Sequence, residues 1–183
     1  DPANPGGWKA IVAIADVSFY VRPGSALDKK ARRRGNSVYF PDRVVPMLPE
    51  ILSAEVCSLK KGEDRAALAC HLTIDKGGAL SSWRFTRAVV RIAGNIAYED
   101  AQATFDAGEG PMIEVLKPLW ACWRALAKAR DARAPLDLDL PERRVILDDK
   151  GRIILVAPRA RLYSMRLIED YMIAANVAAV LAA

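Results

Sequence analysis

Residues 63–94, EDRAALACHLTIDKGGALSSWRFTRAVVRIAG, contain two segments that read as β-strands; within the first, ALACHLTID shows the alternation of apolar and polar residues that is typical of a strand. Between the segments stands Lys-Gly-Gly, and glycine readily adopts the positive φ angles that tight turns require. The sequence therefore predicts a β-hairpin in which Gly77 and Gly78 supply the turn.

The segment upstream of this hairpin begins with WKAIVAIADVSFYV, residues 8–21, which predicts a buried strand that leaves the core near Ser18. Ser25 is placed to cap a short helix that starts at Ala26 and ends at Gly35. The run LPEILSAEVCSL, residues 48–59, predicts a short helical turn.

The segment downstream is mainly helical. Residues 97–108 predict a short helix and residues 111–134 a longer one, which Pro118 should kink or delay. Its apolar residues recur at helical spacing: Met112, Val115, Leu119, Cys122 and Leu126. Residues 135–158 predict a second hairpin that turns at DDKG, and residues 161–183 predict a final helix. Hairpins mixed with helices place the chain in the α+β class.

Composition indicates a globular domain of ordinary size. The 183 residues are 52% hydrophobic and 27% charged, which excludes intrinsic disorder. The formal net charge of +5 is compatible with a polyanionic partner. There is no glycine-rich phosphate loop, so no small-molecule cofactor is predicted.

Three cysteines, Cys57, Cys70 and Cys122, are odd in number and form no CxxC pair. We interpret them as reduced residues of a cytoplasmic protein. No run of transmembrane length and no signal peptide occurs, so we predict no membrane partner. The single histidine, His71, lies in a predicted strand and is interpreted as structural, which leaves no pair of histidines for a metal site.

The loop GNSVYFPDRVVPMLP, residues 35–49, is unusually apolar for a solvated segment. Its three prolines exclude a helix or a central strand. A loop of this kind lies over a core or presents an aromatic side chain to a ligand, and Tyr39 fits either role. The basic run before it contains Arg32, Arg33 and Arg34 at the end of the short helix, where a solvated face or phosphate contacts are both compatible with the charge.

The acidic residues offer several pairs. Asp148 and Asp149 occupy a predicted hairpin turn, where aspartate is expected for its turn geometry. Asp137, Asp139 and Glu142 alternate along a predicted strand and fit a solvated face. Asp16 ends the strand at 8–21, and we assign it at most a supporting role. Trp120 and Trp123 are predicted core residues.

Residues 12–68, from VAIADVSFYVRPGSALD through SVYFPDRVVPMLPE to CSLKKGEDRAAL, strongly resemble the ribonuclease II / ribonuclease R family in its catalytic RNB domain. The resemblance resumes in AYEDAQA, LDLDLPE and RLIEDYMIAANVAA. It implies an exoribonuclease that degrades single-stranded RNA processively and hydrolytically from the 3′ end and releases nucleoside 5′-monophosphates. It also implies an RNB-type fold of mixed hairpins and sheet flanked by helices.

The same resemblance implies a metal-dependent reaction, with Mg²⁺ ions that activate water. The family's metal-binding aspartates lie upstream of the strand at 8–21, and its arginine motif lies downstream of the last helix. We therefore expect residues 1–183 to be a partial RNB domain whose metal ligands, and whose cold-shock and S1 domains, lie outside this chain.

Residue by residue, the resemblance implies that Tyr39 stacks on the base nearest the 3′ end of the RNA. It implies that Glu169 contacts the 3′-terminal nucleotide. Leu138 matches a position where relatives commonly have phenylalanine, which weakens its role as a second stacking residue. The alternatives are a non-catalytic RNA-binding protein derived from an RNB domain, and a fragment that binds nothing.

Overall fold

The computed structural model describes residues 2–133, 143–158 and 161–182, without the side chain of residue 144. It confirms the α+β class. In chain order the elements are β1 (Trp8–Ala15), α1 (Val17–Tyr20), α2 (Ala26–Arg34), β2 (Val38–Tyr39), β3 (Val44–Val45), a π-helical turn (Ile51–Val56), β4 (Asp64–Ile74), β5 (Leu80–Arg91), α3 (Tyr98–Ala107), α4 (Ile113–Asp131), β6 (Arg143–Leu147), β7 (Ile153–Pro158) and α5 (Tyr163–Ala182).

The main sheet is antiparallel, with strand order β1-β4-β5. The predicted hairpin is confirmed as β4 and β5. Its turn is closed by Asp75, whose carboxylate accepts hydrogen bonds from the N–H groups of Gly77 and Ala79 at 2.8 and 2.9 Å. Gly78 has φ +88°, and a Cβ there would lie 2.1 Å from the carbonyl oxygen of Ala125. Glycine is therefore required both by the turn and by its close contact with α4.

The prediction for residues 8–21 was partly wrong. The strand ends at Ala15, because the carboxylate of Asp16 accepts a hydrogen bond from the N–H of Phe19 and caps the short helix α1. The strand is also not buried, since β1 is an edge of this sheet and Ile11 is 65% exposed.

The core lies between one face of the sheet and the helices α3, α4 and α5. Trp120 and Trp123 are buried, as predicted. The predicted apolar face of α4 was partly wrong: Val115 is 59% exposed, and Leu116 is buried instead. Met112 has φ +64° and precedes the helix, so it does not share the helical periodicity. The buried residues of α4 are Leu116, Trp120, Cys122, Trp123 and Leu126. The helix starts at Ile113, before Pro118, so the proline does not delay it.

The remaining local predictions are confirmed where the structure describes the chain. The Ser25 hydroxyl accepts a hydrogen bond from the N–H of Asp28 at 3.2 Å, and α2 ends at Gly35 with φ +76°. The second hairpin turns at residues 148–151 between β6 and β7. The short helical turn at Ile51–Val56 adopts π-helical geometry. No helix in the described ranges is long and apolar enough to cross a membrane.

Candidate functional site

Tyr39 lies on a short antiparallel ribbon formed by β2 and β3. Val38 pairs with Val45 and Tyr39 pairs with Val44. Between the strands, the N–H of Phe40 donates to the carbonyl of Arg43 at 2.8 Å and closes a tight turn that contains Pro41. The side chain of Tyr39 is 77% exposed, so its position in the fold is not explained by packing.

The ribbon is attached to the C-terminal end of α2. The guanidinium of Arg34 donates to the carbonyl of Pro46, and the N–H of Met47 donates to the hydroxyl of Ser37 at 2.9 Å. These contacts span 12 and 10 residues of chain and connect the start and the end of the loop. The proline-rich loop is therefore braced on the basic helix, and the phenol of Tyr39 projects from a supported backbone.

The three predicted arginines of α2 have different surroundings. Arg32 pairs with Asp28 at 3.0 Å, and Arg34 is the residue that braces the ribbon. Arg33 is exposed. The pKa of Asp28 is held below its ordinary value by the N–H of Gly24 and then by Arg32. Arg32 and Arg34 thus use their guanidinium groups to support the helix and the loop. Arg33 makes neither of these contacts.

Glu169 and its neighbour Asp170 occupy opposite environments on α5. Glu169 is exposed. Asp170 is buried and accepts hydrogen bonds from the indole N–H of Trp123 at 2.7 Å and from the guanidinium of Arg130. The structure therefore leaves Glu169 available to a ligand and uses Asp170 to join α5 to α4. Tyr39 and Glu169 lie on different elements, the ribbon and α5.

Asp16 is buried at the end of β1 and is fully engaged. Its carboxylate accepts from the hydroxyl of Ser18 at 2.6 Å and from the N–H of Phe19 at 3.2 Å, and it pairs with the guanidinium of Arg87 at 3.2 Å. The Ser18 hydrogen bond is the main cause that holds the pKa of Asp16 below its ordinary value, with Arg87 and Phe19 adding to it, against the opposing effect of burial. This residue stabilises the junction of β1 and α1.

The acids of the described residues do not fit a magnesium site. Within residues 2–133, 143–158 and 161–182, no three side chains of histidine, cysteine, aspartate or glutamate are grouped to hold a metal ion. Asp148 accepts from the N–H groups of Lys150 and Arg152 and from the Arg152 side chain, which confirms its role in the turn and lowers its pKa. The positions that lie outside the described residues are Asp137, Leu138, Asp139 and Glu142.

His71 lies on β4, where its Nε2 is 3.1 Å from the hydroxyl of Thr86 on β5. This cross-strand contact accounts for the residue within the sheet and agrees with its structural interpretation. The cysteines are all free, and burial raises the pKa of each thiol.

Two features of the site were missed by sequence reasoning. The guanidinium of Arg43 lies 4.8 Å from the centre of the Phe40 ring, and Arg87 pairs with Asp16 across 71 residues of sequence. The spacing of Phe40 and Arg43 around Pro-Asp is a signal for the first, because a tight turn brings its two ends together. The ion pair between Arg87 and Asp16 depends on how distant strands pair in the sheet, so no local sequence pattern predicts it.

Comparison with known proteins identifies the family. The model of the RNB domain family matches residues 1–182. This chain belongs to the RNB domain family. The match agrees with the resemblance in residues 12–68 and with the fold.

Relatives and structural neighbours are longer proteins. The chain is 42% identical over 179 residues to Ribonuclease R of Vibrio parahaemolyticus, which covers 94% of this chain and 21% of that relative. It is 39% identical over 180 residues to Ribonuclease R of Escherichia coli, covering 95% and 22%. Ribonuclease R of Mycoplasma genitalium, in complex with ribose-methylated single-stranded RNA, superposes with a TM-score of 0.88 at 28% identity, over 94% of this chain and 28% of that chain. The chain thus spans about a fifth of the length of these curated relatives.

Proposed function

We propose that this chain is part of the catalytic domain of a hydrolytic exoribonuclease that degrades single-stranded RNA processively from the 3′ end and releases nucleoside 5′-monophosphates. The observation that carries the proposal is the exposed phenol of Tyr39 on a braced, proline-containing ribbon beside a basic helix. Membership of the RNB domain family and relatives named Ribonuclease R support it.

The ribbon suits a ligand of variable sequence. Every nucleobase has a π-face, so an aromatic platform contributes about 1–3 kcal/mol per stacked base without reading the sequence. The prolines and the two bracing hydrogen bonds limit the motion of the backbone before RNA arrives. Less ordering entropy is then lost on binding. The structural neighbour from Mycoplasma genitalium was solved with single-stranded RNA, which supports RNA as the ligand.

Two charged side chains complete the proposed RNA surface. The exposed carboxylate of Glu169 can accept a hydrogen bond from a ribose hydroxyl, and the 2′-hydroxyl is the group that distinguishes RNA from DNA. Arg33 carries a charge that can neutralise a backbone phosphate, which favours binding of any sequence. Arg32 and Arg34 support the local fold and add to the positive potential around the ribbon.

For hydrolysis the proposal includes Mg²⁺, which in such sites lowers the pKa of bound water and stabilises the leaving oxygen. Its ligands are proposed to lie outside the described residues, because no three acidic, histidine or cysteine side chains within those residues are grouped to hold a metal ion. The same proposal assigns the rest of the enzyme, including cold-shock and S1 domains, to chain beyond these residues. We also propose that the enzyme is cytoplasmic, a location in which the three free cysteines would stay reduced.

A second candidate function is RNA binding without hydrolysis. It is favoured by the way in which the buried Asp16 and Asp170 and the turn residue Asp148 are already engaged by protein donors. The two candidates share the surface around Tyr39 and differ only in the chemistry at the 3′ end.

The test uses 5′-labelled single-stranded RNA with this chain and Mg²⁺, and an EDTA control, with products separated on a sequencing gel. We expect RNA binding without shortening from these residues alone, and 3′ trimming that EDTA abolishes when the longer gene product is used. Binding without trimming by the longer product would select the second candidate. An EDTA-sensitive ladder from this chain would show that its own acids bind metal. No RNA binding by either protein would contradict both candidates.

A further inference from the structure

The ribbon of β2 and β3 has two exposed faces. Side chains alternate between the faces of a β-ribbon, so Tyr39 and its partner Val44 share one face. The next pair along the ladder, Phe40 and Arg43, is joined by the hydrogen bond from the N–H of Phe40 and lies on the opposite face. Phe40 is itself partly exposed, so the second face is not covered by the described residues.

Arg43 is held in a defined orientation on this second face. Its guanidinium carbon lies 4.8 Å from the centre of the Phe40 ring, a cation–π distance. The Nη1 group of the guanidinium donates to the carboxylate of Asp42 at 2.8 Å. The side chain is nevertheless 64% exposed, so the guanidinium face turned away from Phe40 is accessible to solvent.

This arrangement leaves two kinds of contact with RNA open. Asp42 engages only the Nη1 group of Arg43, so a phosphate could still bind the N–H groups of Nε and Nη2. The flat face turned away from Phe40 is also open, and flat faces of arginine are surfaces on which unpaired nucleobases stack. The geometry points to Arg43, supported by Phe40, as a second stacking position for a nucleobase of single-stranded RNA, on the opposite face of the ribbon from Tyr39.

This inference rests on the proposed function and adds a second contact to it. Because the two platforms lie on opposite faces, the bases that occupy them cannot belong to one continuous stack. A single strand that occupies both platforms must therefore bend around the edge of the ribbon. A single braced element therefore binds two bases of the same strand.

The test compares two RNA probes and two matched variants. The probes are an oligoadenylate and an oligomer of the same length whose backbone carries abasic sites. Arg43→Lys keeps the charge and removes the flat face. The control is Arg124→Lys, because Arg124 also lies over a phenylalanine, with its guanidinium 5.5 Å from the centre of Phe105, but on α4. Fluorescence anisotropy measures the affinities of this chain, and circular dichroism verifies that each variant is folded.

We expect Arg43→Lys to weaken binding of oligoadenylate about tenfold, as loss of one stacked base does, and to leave the abasic oligomer unaffected. Phe40→Leu should produce a loss of the same kind, since Arg43 then lacks its support. Arg124→Lys should change neither probe. An equal loss on both probes would show a phosphate contact and overturn the inference.

A third variant separates this inference from the proposed function. If Tyr39→Leu weakens oligoadenylate binding and Arg43→Lys does not, the second platform is wrong and the proposed function stands. If the unmodified chain binds neither probe, the proposed function and the second platform fail together.

Discussion

The indole N–H of Trp123 donates a hydrogen bond of 2.7 Å to the carboxylate of Asp170, 47 residues away in sequence. The other carboxylate oxygen accepts from Arg130, and the Asp170 side chain is only 4% exposed. Trp123 and Arg130 belong to α4 and Asp170 to α5, so this buried network fixes how the two helices pack. It also fixes which way α5 presents the neighbouring Glu169.

Replacement of Asp170 by alanine should destabilise the domain strongly. The change leaves the guanidinium of Arg130 and the indole N–H of Trp123 without their buried acceptor, and removing one partner of a buried ion pair costs about 3 kcal/mol or more. Urea denaturation monitored by tryptophan fluorescence measures the free energy of unfolding. The matched control is Glu169→Ala, where we expect a change within about 0.5 kcal/mol because the side chain is exposed. Equal effects of the two substitutions would contradict the assigned roles.

The neighbouring residues Glu169 and Asp170 show how much of α5 could be predicted from the sequence. Asp170 lies three positions after Leu167 and four before Ala174, so helical periodicity places it on the same face as these two apolar residues, and the structure buries all three. The resemblance to the family points instead to Glu169, which is exposed, and its contact with RNA stays a prediction. The partners Trp123 and Arg130 could not be predicted, because they depend on how two separate helices pack.

Replacement of Gly78 by alanine should destabilise the hairpin turn and its contact with α4. A Cβ at this position would lie 2.1 Å from the carbonyl oxygen of Ala125, on a backbone with φ +88°. Strain and overpacking together predict a loss of about 2–5 kcal/mol. The adjacent Gly77→Ala provides the control, since its Cβ would meet only the carboxylate of Asp75 at 3.3 Å. Thermal denaturation measures the melting temperature of both variants. A lower melting temperature for Gly77→Ala than for Gly78→Ala would refute this expectation.

Gly78 is a second residue whose role could be predicted only in part from the sequence. The pair Gly77 and Gly78 predicts a turn, and the turn is present. Nothing in the local sequence shows that one glycine is required by a helix nearly fifty residues later. The end of β1 is a similar case: its apolar residues favour a longer strand, whereas the hydrogen bonds of Asp16 to Ser18 and Phe19 end it at Ala15.

Acid should destabilise the junction of β1 and α1 through Asp16. Its pKa is lower in the folded protein than in the unfolded chain, mainly because of the hydrogen bond from Ser18 and then because of Arg87. A carboxylate of this kind stabilises the fold above its unfolded pKa of about 3.9, and the contribution disappears as the pH falls through the lower folded value. Melting temperatures measured from neutral pH down to the acid range should therefore fall less steeply for Asp16→Asn than for the unmodified chain. Ser18→Ala should give an intermediate slope, and three identical slopes would refute the assignment.

Tyr39 provides the most direct test of the proposed RNA surface. Tyr39→Ala should weaken binding of a single-stranded oligoribonucleotide by about 1–3 kcal/mol, the contribution of one stacked base. Tyr39→Phe should bind nearly as well as the unmodified chain, because stacking uses the ring and not the hydroxyl. Since the side chain is 77% exposed, neither variant should change the free energy of unfolding by more than about 0.5 kcal/mol. Anisotropy titrations and urea denaturation on the same samples separate the two effects. A loss of stability that matches the loss of affinity would mean that Tyr39 supports the ribbon rather than the RNA.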